Sequence, residues 1–249
     1  MNEPRVYVDI ELREGDIVTL PQEAYHHLVV VLRRMKGDAV TLFNGRGGEY
    51  GVTLESIAKR SVDARVTAFR DVSRESALPV TLAQAVSKGE RMDFTIQKAV
   101  ELGVTEIQPL ITDHVVVKLS EERWARKLEH WQSVAVSACE QSGRTRIPRI
   151  APVIDLRDWL NALPAGALKL VLAPGAAAGR LTRRAEPIAL LVGPEGGLSD
   201  MELKLTDISG FVPVPLGPRI LRTETAGMVA LAVIQSAWGD LGASLSTGK

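Results

Sequence analysis

Two glycine-rich segments late in the chain carry the residue types that a ligand pocket needs. The first reads Leu191-Val192-Gly193-Pro194-Glu195-Gly196-Gly197-Leu198-Ser199, and the second Leu216-Gly217-Pro218-Arg219-Ile220-Leu221-Arg222-Thr223-Glu224-Thr225-Ala226. Each follows a β-prone run and precedes a helical pattern. Glycines there permit positive φ angles and close approach of backbone to a ligand. Loops at the carboxyl ends of parallel strands are where open α/β sheets bind ligands. Ser199-Asp200-Met201-Glu202 has the form of a capping box, and Thr223 is placed to cap a second helix. No G-x-G-x-x-G follows a strand and no G-x-x-x-x-G-K-[ST] occurs, so neither a dinucleotide fingerprint nor a phosphate-binding P-loop is present. The residues alone therefore point to a pocket built by two loops, or to two tight turns that the topology requires. They do not identify a ligand.

The elements that must position these loops follow from hydrophobic periodicity. Residues 1–72 read as short strands around Val6-Tyr7-Val8, residues 17–20, 40–43, 50–54 and 62–69, with one helical stretch over residues 22–35. Asn44-Gly45-Arg46-Gly47-Gly48 is a hairpin loop between two of them. Many short strands at close spacing predict a small barrel. From about residue 78 the rhythm becomes strand, helix, strand, helix. Strands are expected at 79–86, 106–111, 168–172, 188–192 and 211–214. Helices are expected at 90–102 (Met92, Ile96, Ala99 and Val100 on one face, Gly103 as the stop), at 121–142, from Ser199, and over 224–241. That alternation predicts an α/β domain with a parallel sheet covered by helices on both faces. Two domains are expected, 1–72 and 73–249, with a polar linker near residues 71–77. A frayed tail is expected from Gly242.

Composition excludes several classes. No apolar run is long enough to span a bilayer, and the first residues lack the pattern of a secretory signal. The single cysteine, Cys139, excludes an internal disulfide, and the four histidines lack metal-ligand spacing, so no metal is expected. These features fit a cytoplasmic protein. With 30 basic and 30 acidic residues the formal charge is zero, where a nucleic-acid binder is usually basic. Local clusters exist nonetheless: Arg33, Arg34 and Lys36; Lys88 and Arg91; Arg144, Arg146 and Arg149. Each is either a phosphate contact or an ordinary solvated surface.

Taken together, the two loops resemble the signature of the RsmE family, the 16S ribosomal RNA uracil-N3 methyltransferases of the SPOUT class. The resemblance extends over residues 26–33, 43–50, 87–93, 97–104 and 138–144, in order along most of the chain. It implies an N-terminal PUA-like β-barrel that assists RNA binding and a C-terminal SPOUT domain tied in a deep trefoil knot. It further implies S-adenosyl-L-methionine as cofactor, a homodimer, and the 16S RNA of the assembled small (30S) subunit as substrate, with no DNA or membrane partner.

The resemblance also implies roles. Gly193, Pro194, Glu195, Gly196 and Gly197, with Leu216, Gly217, Ile220, Leu221, Thr225 and Ala226, are expected at the cofactor, and Leu172 as an apolar wall or a core leucine. Uracil N3 is a protonated imide nitrogen and a poor nucleophile at neutral pH. A base at N3 contributes about 10²–10⁴ in rate, and a cation at O2 or O4 stabilises the developing anion. Arg222 and Glu224 flank the second loop and are the candidates, although an acidic residue is also favoured at a helix start for its own sake. Arg33, Arg34, Lys88, Arg91, Lys98, Arg144 and Arg146 are the RNA-phosphate candidates. Cys139 is expected to be buried and inert. Two rivals share these features: a SPOUT enzyme acting on ribose 2′-OH, and a non-catalytic RNA-binding assembly factor.

Overall fold

The largely apolar runs Val80–Ala85 (β6) and Ile188–Val192 (β11) lie side by side and parallel in one sheet. In the computed structural model, residues 3–117, 119–164, 166–173, 175 and 187–242 are described; the expected tail from residue 243 lies outside them. Contacts divide the chain into two units. One holds the residues up to Glu75 together with Val136–Ile147, and the other Ser76–Ala135 and the chain from Pro148 onward.

The first unit is built on five strands: β1 (Arg5–Tyr7), β2 (Ile17–Thr19), β3 (Ala39–Phe43), β4 (Glu49–Ala58) and β5 (Ser61–Arg70). Their order is β1-β3-β4-β5-β2, with β1 parallel to β3 and the other pairings antiparallel. Every second residue points inward, so Val62, Ala64 and Val66 join Val40, Leu42, Val52 and Leu54 in one buried cluster. Register shifts between Gly51 and Val52 and between Leu54 and Ser56 are of the kind that bend a strand. Gly48 closes the expected hairpin loop at φ +67°, where an added Cβ would stand 2.4 Å from the Phe69 ring. The helical stretch is shorter than its periodicity predicts. It is α-helical over Gln22–Tyr25 (α1), π-helical over His26–Val31, and ends before Arg33, which has φ +53°. Val29-Val30-Val31 is a β-branched run that crowds a helix backbone.

The second unit alternates strand and helix: β6, α2 (Glu90–Glu101), β7 (Glu106–Ile111), α3 (Glu121–Ser142), β8 (Arg149–Ile150), β9 (Ile154–Asp155), α4 (Leu156–Ala162), β10 (Leu168–Leu172), β11, α5 (Asp200–Ile208), β12 (Val212–Val214) and α6 (Thr223–Trp238). The sheet runs β12-β10-β11-β6-β7-β8 with β9 also on β7, and its ladders are parallel. Alternate residues serve opposite faces. Ala83, Ala189, Leu191 and Val171 pack with Leu156, Trp159 and Leu160 of α4 and with Phe211; Leu170 and Leu190 face Ala230 and Ile234 of α6. The short pieces β8, β9 and α4 escape periodicity because two-residue strands and a seven-residue helix carry too few apolar positions to set a period. Among the described residues no helix is long and apolar enough to cross a membrane.

The end of α3, from Val136, belongs to the first unit, and polar groups hold it there. Arg5 donates to the carbonyls of Cys139 at 3.0 Å and Arg144 at 3.2 Å, and Arg74 donates to that of Gly143 at 3.0 Å. Cations suit the negative end of a helix. The Glu75 carboxylate accepts from Arg144 Nε at 2.9 Å and Nη2 at 2.6 Å, and from the amides of Thr145 at 2.9 Å and Arg146 at 3.1 Å. Cys139 is fully buried in this segment, and desolvation pushes its thiol up to about 12 despite the opposing pull of Arg144. Alkylation by iodoacetamide at pH 8 is therefore expected to be at least about 100-fold slower in the native protein than in denaturant, since only the thiolate reacts. Equal rates in the two states would contradict this placement.

Candidate active site

The carboxyl ends of β6 and β11 are neighbours, with Gln84 in register with Val192. The first loop leaves β11 there. Its turn is closed by a bond from Gly197 N to Pro194 O at 2.9 Å. Ser199 then caps α5: its hydroxyl accepts from Glu202 N at 3.3 Å, and Glu202 Oε2 accepts from Ser199 N at 2.8 Å. This is the expected capping box, worth about 1 kcal/mol. The loop after β7 braces the same turn. Asp113 N donates to Glu202 Oε1 at 2.9 Å, Ser199 Oγ donates to Asp113 Oδ2 at 2.5 Å, and His114 Nδ1 donates to Gly197 O at 2.9 Å. Glu195 is exposed and pairs with Arg91 of α2 at 2.8 Å.

The second loop walls a cavity. Leaving β12, it turns at Gly217, whose φ of +84° favours glycine. Leu172, Ala173, Val214, Leu216, Gly217, Arg219, Leu221 and Ala226 line a small, partly open cavity at the carboxyl ends of β10 and β12. Five of the expected cofactor residues thus meet around it. Ile220 is 88% exposed and Thr225 is exposed, and neither lines the cavity. Gly193, Pro194, Glu195, Gly196 and Gly197 stand off its lining as well. Ala173 and Val214 line it without having been singled out; each continues a run that reads simply as core strand.

Thr223 does not act as the cap its sequence position implies. Arg222 is the N-cap of α6, and Thr223 is its first residue. The Thr223 hydroxyl is engaged elsewhere: it donates to Gly193 O at 2.6 Å and accepts from Gln84 Nε2 at 3.0 Å. The two loops are joined through that atom. Gln84 went unnoticed in the sequence, where a lone amide in the run Val80-Thr81-Leu82-Ala83-Gln84-Ala85 was the available signal. Arg222 is exposed and, among the described residues, makes no ion pair. Glu224 is partly buried, and its Oε2 is enclosed without a hydrogen-bond donor. An enclosed carboxylate oxygen lacking a donor is costly and suits a site where a ligand supplies one.

The RNA-phosphate candidates divide by environment. In the first unit Arg33 and Arg146 are exposed, Arg34 is half-buried, and Arg144 is only 4% exposed and held by Glu75. Arg144 therefore serves the interior of that unit. In the second unit Lys88 is exposed, Arg91 pairs with Glu195, and Lys98 pairs with Glu101 at 2.7 Å. Among the described residues no His, Cys, Asp and Glu cluster is suited to a metal ion.

Comparison with known proteins agrees with this layout. Residues 74–235 match the model of the RNA methyltransferase domain, and residues 20–67 that of the RNA methyltransferase PUA domain. Ribosomal RNA small subunit methyltransferase E of Buchnera aphidicola is 33% identical over 240 residues, covering 96% of this chain and 98% of the relative. A Legionella pneumophila methyltransferase solved with bound S-adenosylmethionine superposes with a TM-score of 0.92 at 42% identity, over 97% of this chain and 100% of the other. Ribosomal RNA small subunit methyltransferase E of Neisseria gonorrhoeae, solved bound to S-adenosylmethionine, gives 0.90 at 40% identity, over 96% and 99%. The chain accordingly belongs to the ribosomal RNA small subunit methyltransferase E family, with an RNA methyltransferase domain and a PUA-like domain.

Proposed function

We propose that this protein methylates N3 of one uridine in 16S ribosomal RNA within the assembled small subunit, using S-adenosyl-L-methionine. The observation that carries the reading is the cavity framed by Leu172, Leu216, Gly217, Leu221 and Ala226 at the strand ends. Two solved relatives that superpose over nearly the whole chain hold S-adenosylmethionine. Apolar side chains and loop backbone suit an adenine ring and its polar edge. When bound, the cofactor supplies an electrophilic methyl group on its sulfonium.

The chain's own residues would do the rest. Glu224 offers an enclosed carboxylate oxygen without a donor, suited to the N3 proton of uracil as base or as orienting acceptor. Arg222, exposed beside it in sequence, would face O2 or O4 and stabilise the anion. Residues 1–72 would serve as the RNA-binding domain, with Val136–Ile147 joining them in the first unit, and the rest of residues 73–249 as the catalytic domain. Exposed Arg33 and Arg146 in one, and Lys88 in the other, would meet phosphates. Arg91 and Lys98 would do so only by leaving their present carboxylate partners. The reading includes a trefoil knot: β12 pairs at the far edge beyond β10, yet Thr223 returns to the ends of β11 and β6. It also includes a homodimer, supported by exposed Val233 and Leu241 at the carboxyl end of the chain (57% and 42%), and a cytoplasmic location, where ribosomal subunits are found.

Three outcomes test the reading. Small subunits lacking the modification, incubated with protein and cofactor, should gain 3-methyluridine by nucleoside mass spectrometry; a 2′-O-methylated nucleoside would move the protein to ribose chemistry, and no product despite cofactor binding would favour an assembly factor. Arg222→Ala and Glu224→Ala should each lower single-turnover methylation by about 10²-fold or more, and less than tenfold in both would overturn the assignment. Neutralising Arg33, Lys88 and Arg146 together should flatten the dependence of log K on log salt by about 2–3; an unchanged slope would remove them from the interface.

A further inference from the structure

A buried amide sits where an apolar side chain would pack more simply. Gln84 is 0% exposed on β6, between Val192 of β11 and Pro109 of β7 in the ladders. Its Nε2 donates to Ala85 O at 3.1 Å and to Thr223 Oγ1 at 3.0 Å, while its Oε1 is enclosed without a partner. Burying an acceptor without a donor is unfavourable, so an amide held this way calls for a compensating role.

The direction of the bonds is settled by chemistry. Ala85 O is a carbonyl and only accepts, so the amide nitrogen faces it. Gly193 O also only accepts, so the Thr223 proton points to it at 2.6 Å, and the hydroxyl oxygen is left to accept from Gln84. The result is a one-way chain, Gln84 Nε2–H to Thr223 Oγ1–H to Gly193 O, in which each bond polarises the next. Gly193 begins the first loop, and Thr223 ends the second, two residues after Leu221 of the cavity wall. Gly227, one turn along α6, lies against the same amide: a Cβ there would make ordinary van der Waals contact with Gln84 Oε1 at 3.5 Å.

We propose that Gln84 and Thr223 are positioning residues that lock the two loops into the cofactor-binding arrangement before ligand arrives. This rests on the reading of the cavity as the S-adenosylmethionine site. Neither side chain lines the cavity. They act by fixing the carbonyl of Gly193 and the first turn of α6, which carries Glu224 and Ala226. Preformed geometry reduces the ordering cost of binding.

The test is calorimetric titration of S-adenosylmethionine into the full-length protein, with melting temperature and methyl-transfer kinetics measured alongside. Thr223→Val keeps the shape and removes the hydroxyl. It should weaken cofactor binding about tenfold or more, a loss of the size expected when a buried carbonyl loses its donor, and raise KM more than it lowers kcat. Thr223→Ser should restore affinity to within about threefold. Gln84→Met should weaken binding alone but add little on top of Thr223→Val, since both break one chain. Unchanged affinity in Thr223→Val, or a full additive loss in the double variant, would overturn the proposal. Should Thr223→Val not fold, Gln84→Met decides in the same way. Failure of the wild-type protein to bind the cofactor would instead overturn the reading of the cavity.

Discussion

A parallel sheet ends in a row of backbone carbonyls that the ladder no longer serves. At the ends of β6 and β11 these include Ala85 O and Gly193 O, and the Gln84 amide and Thr223 hydroxyl satisfy them. Much of the catalytic unit depends on that arrangement. It fixes where the first loop starts, and it draws the first turn of α6 onto the sheet after β12 has paired at the far edge. Glu202 and Asp113 brace the other end of the first loop from α5 and the loop after β7. The loops are thus held mainly by polar contacts at their ends, which leaves the apolar lining of the cavity to a ligand.

Charge is distributed in a way that reconciles a formally neutral chain with an RNA substrate. In the first unit Arg5, Arg70 and Arg74 converge on the buried carboxylate of Glu49, and Arg144 is held by Glu75. Burial lowers the pKa of Arg5 from its ordinary value, and the Glu49 carboxylate opposes that shift. These cations organise the return of α3 into the first unit. Arg33, Lys88 and Arg146, the cations proposed for phosphate, stay exposed. A modest number of phosphate contacts suits a substrate that is a folded ribonucleoprotein, where shape shares the work of positioning.

Long elements with a clear period were legible in the sequence. The apolar face of α2, the capping box of α5 and the glycine stop at Gly103 follow from spacing and backbone chemistry alone. What escaped did so for physical reasons. A cap position is inferred from the type of one residue, but Thr223 spends its hydroxyl on a carbonyl 30 residues earlier. Arg144 belongs to a basic cluster by sequence and to an internal ion pair by structure, because Glu75 is 69 residues away along the chain. The return of Val136–Ile147 into the first unit has no local signature. The site was legible in part: the second loop does wall a cavity with Leu172, while the glycines of the first loop serve its turn and its bonds to Thr223 and His114. Long-range polar contacts leave no period to read.

The most direct test is a crystal structure of this protein grown with S-adenosylmethionine and no RNA. The cofactor is expected between Leu172-Ala173 and the loop from Leu216 to Leu221, with Thr223 still bonded to Gly193 O and little movement of either loop. Cofactor bound away from that cavity, or loops that form it only by breaking the Thr223 bond, would contradict that expectation.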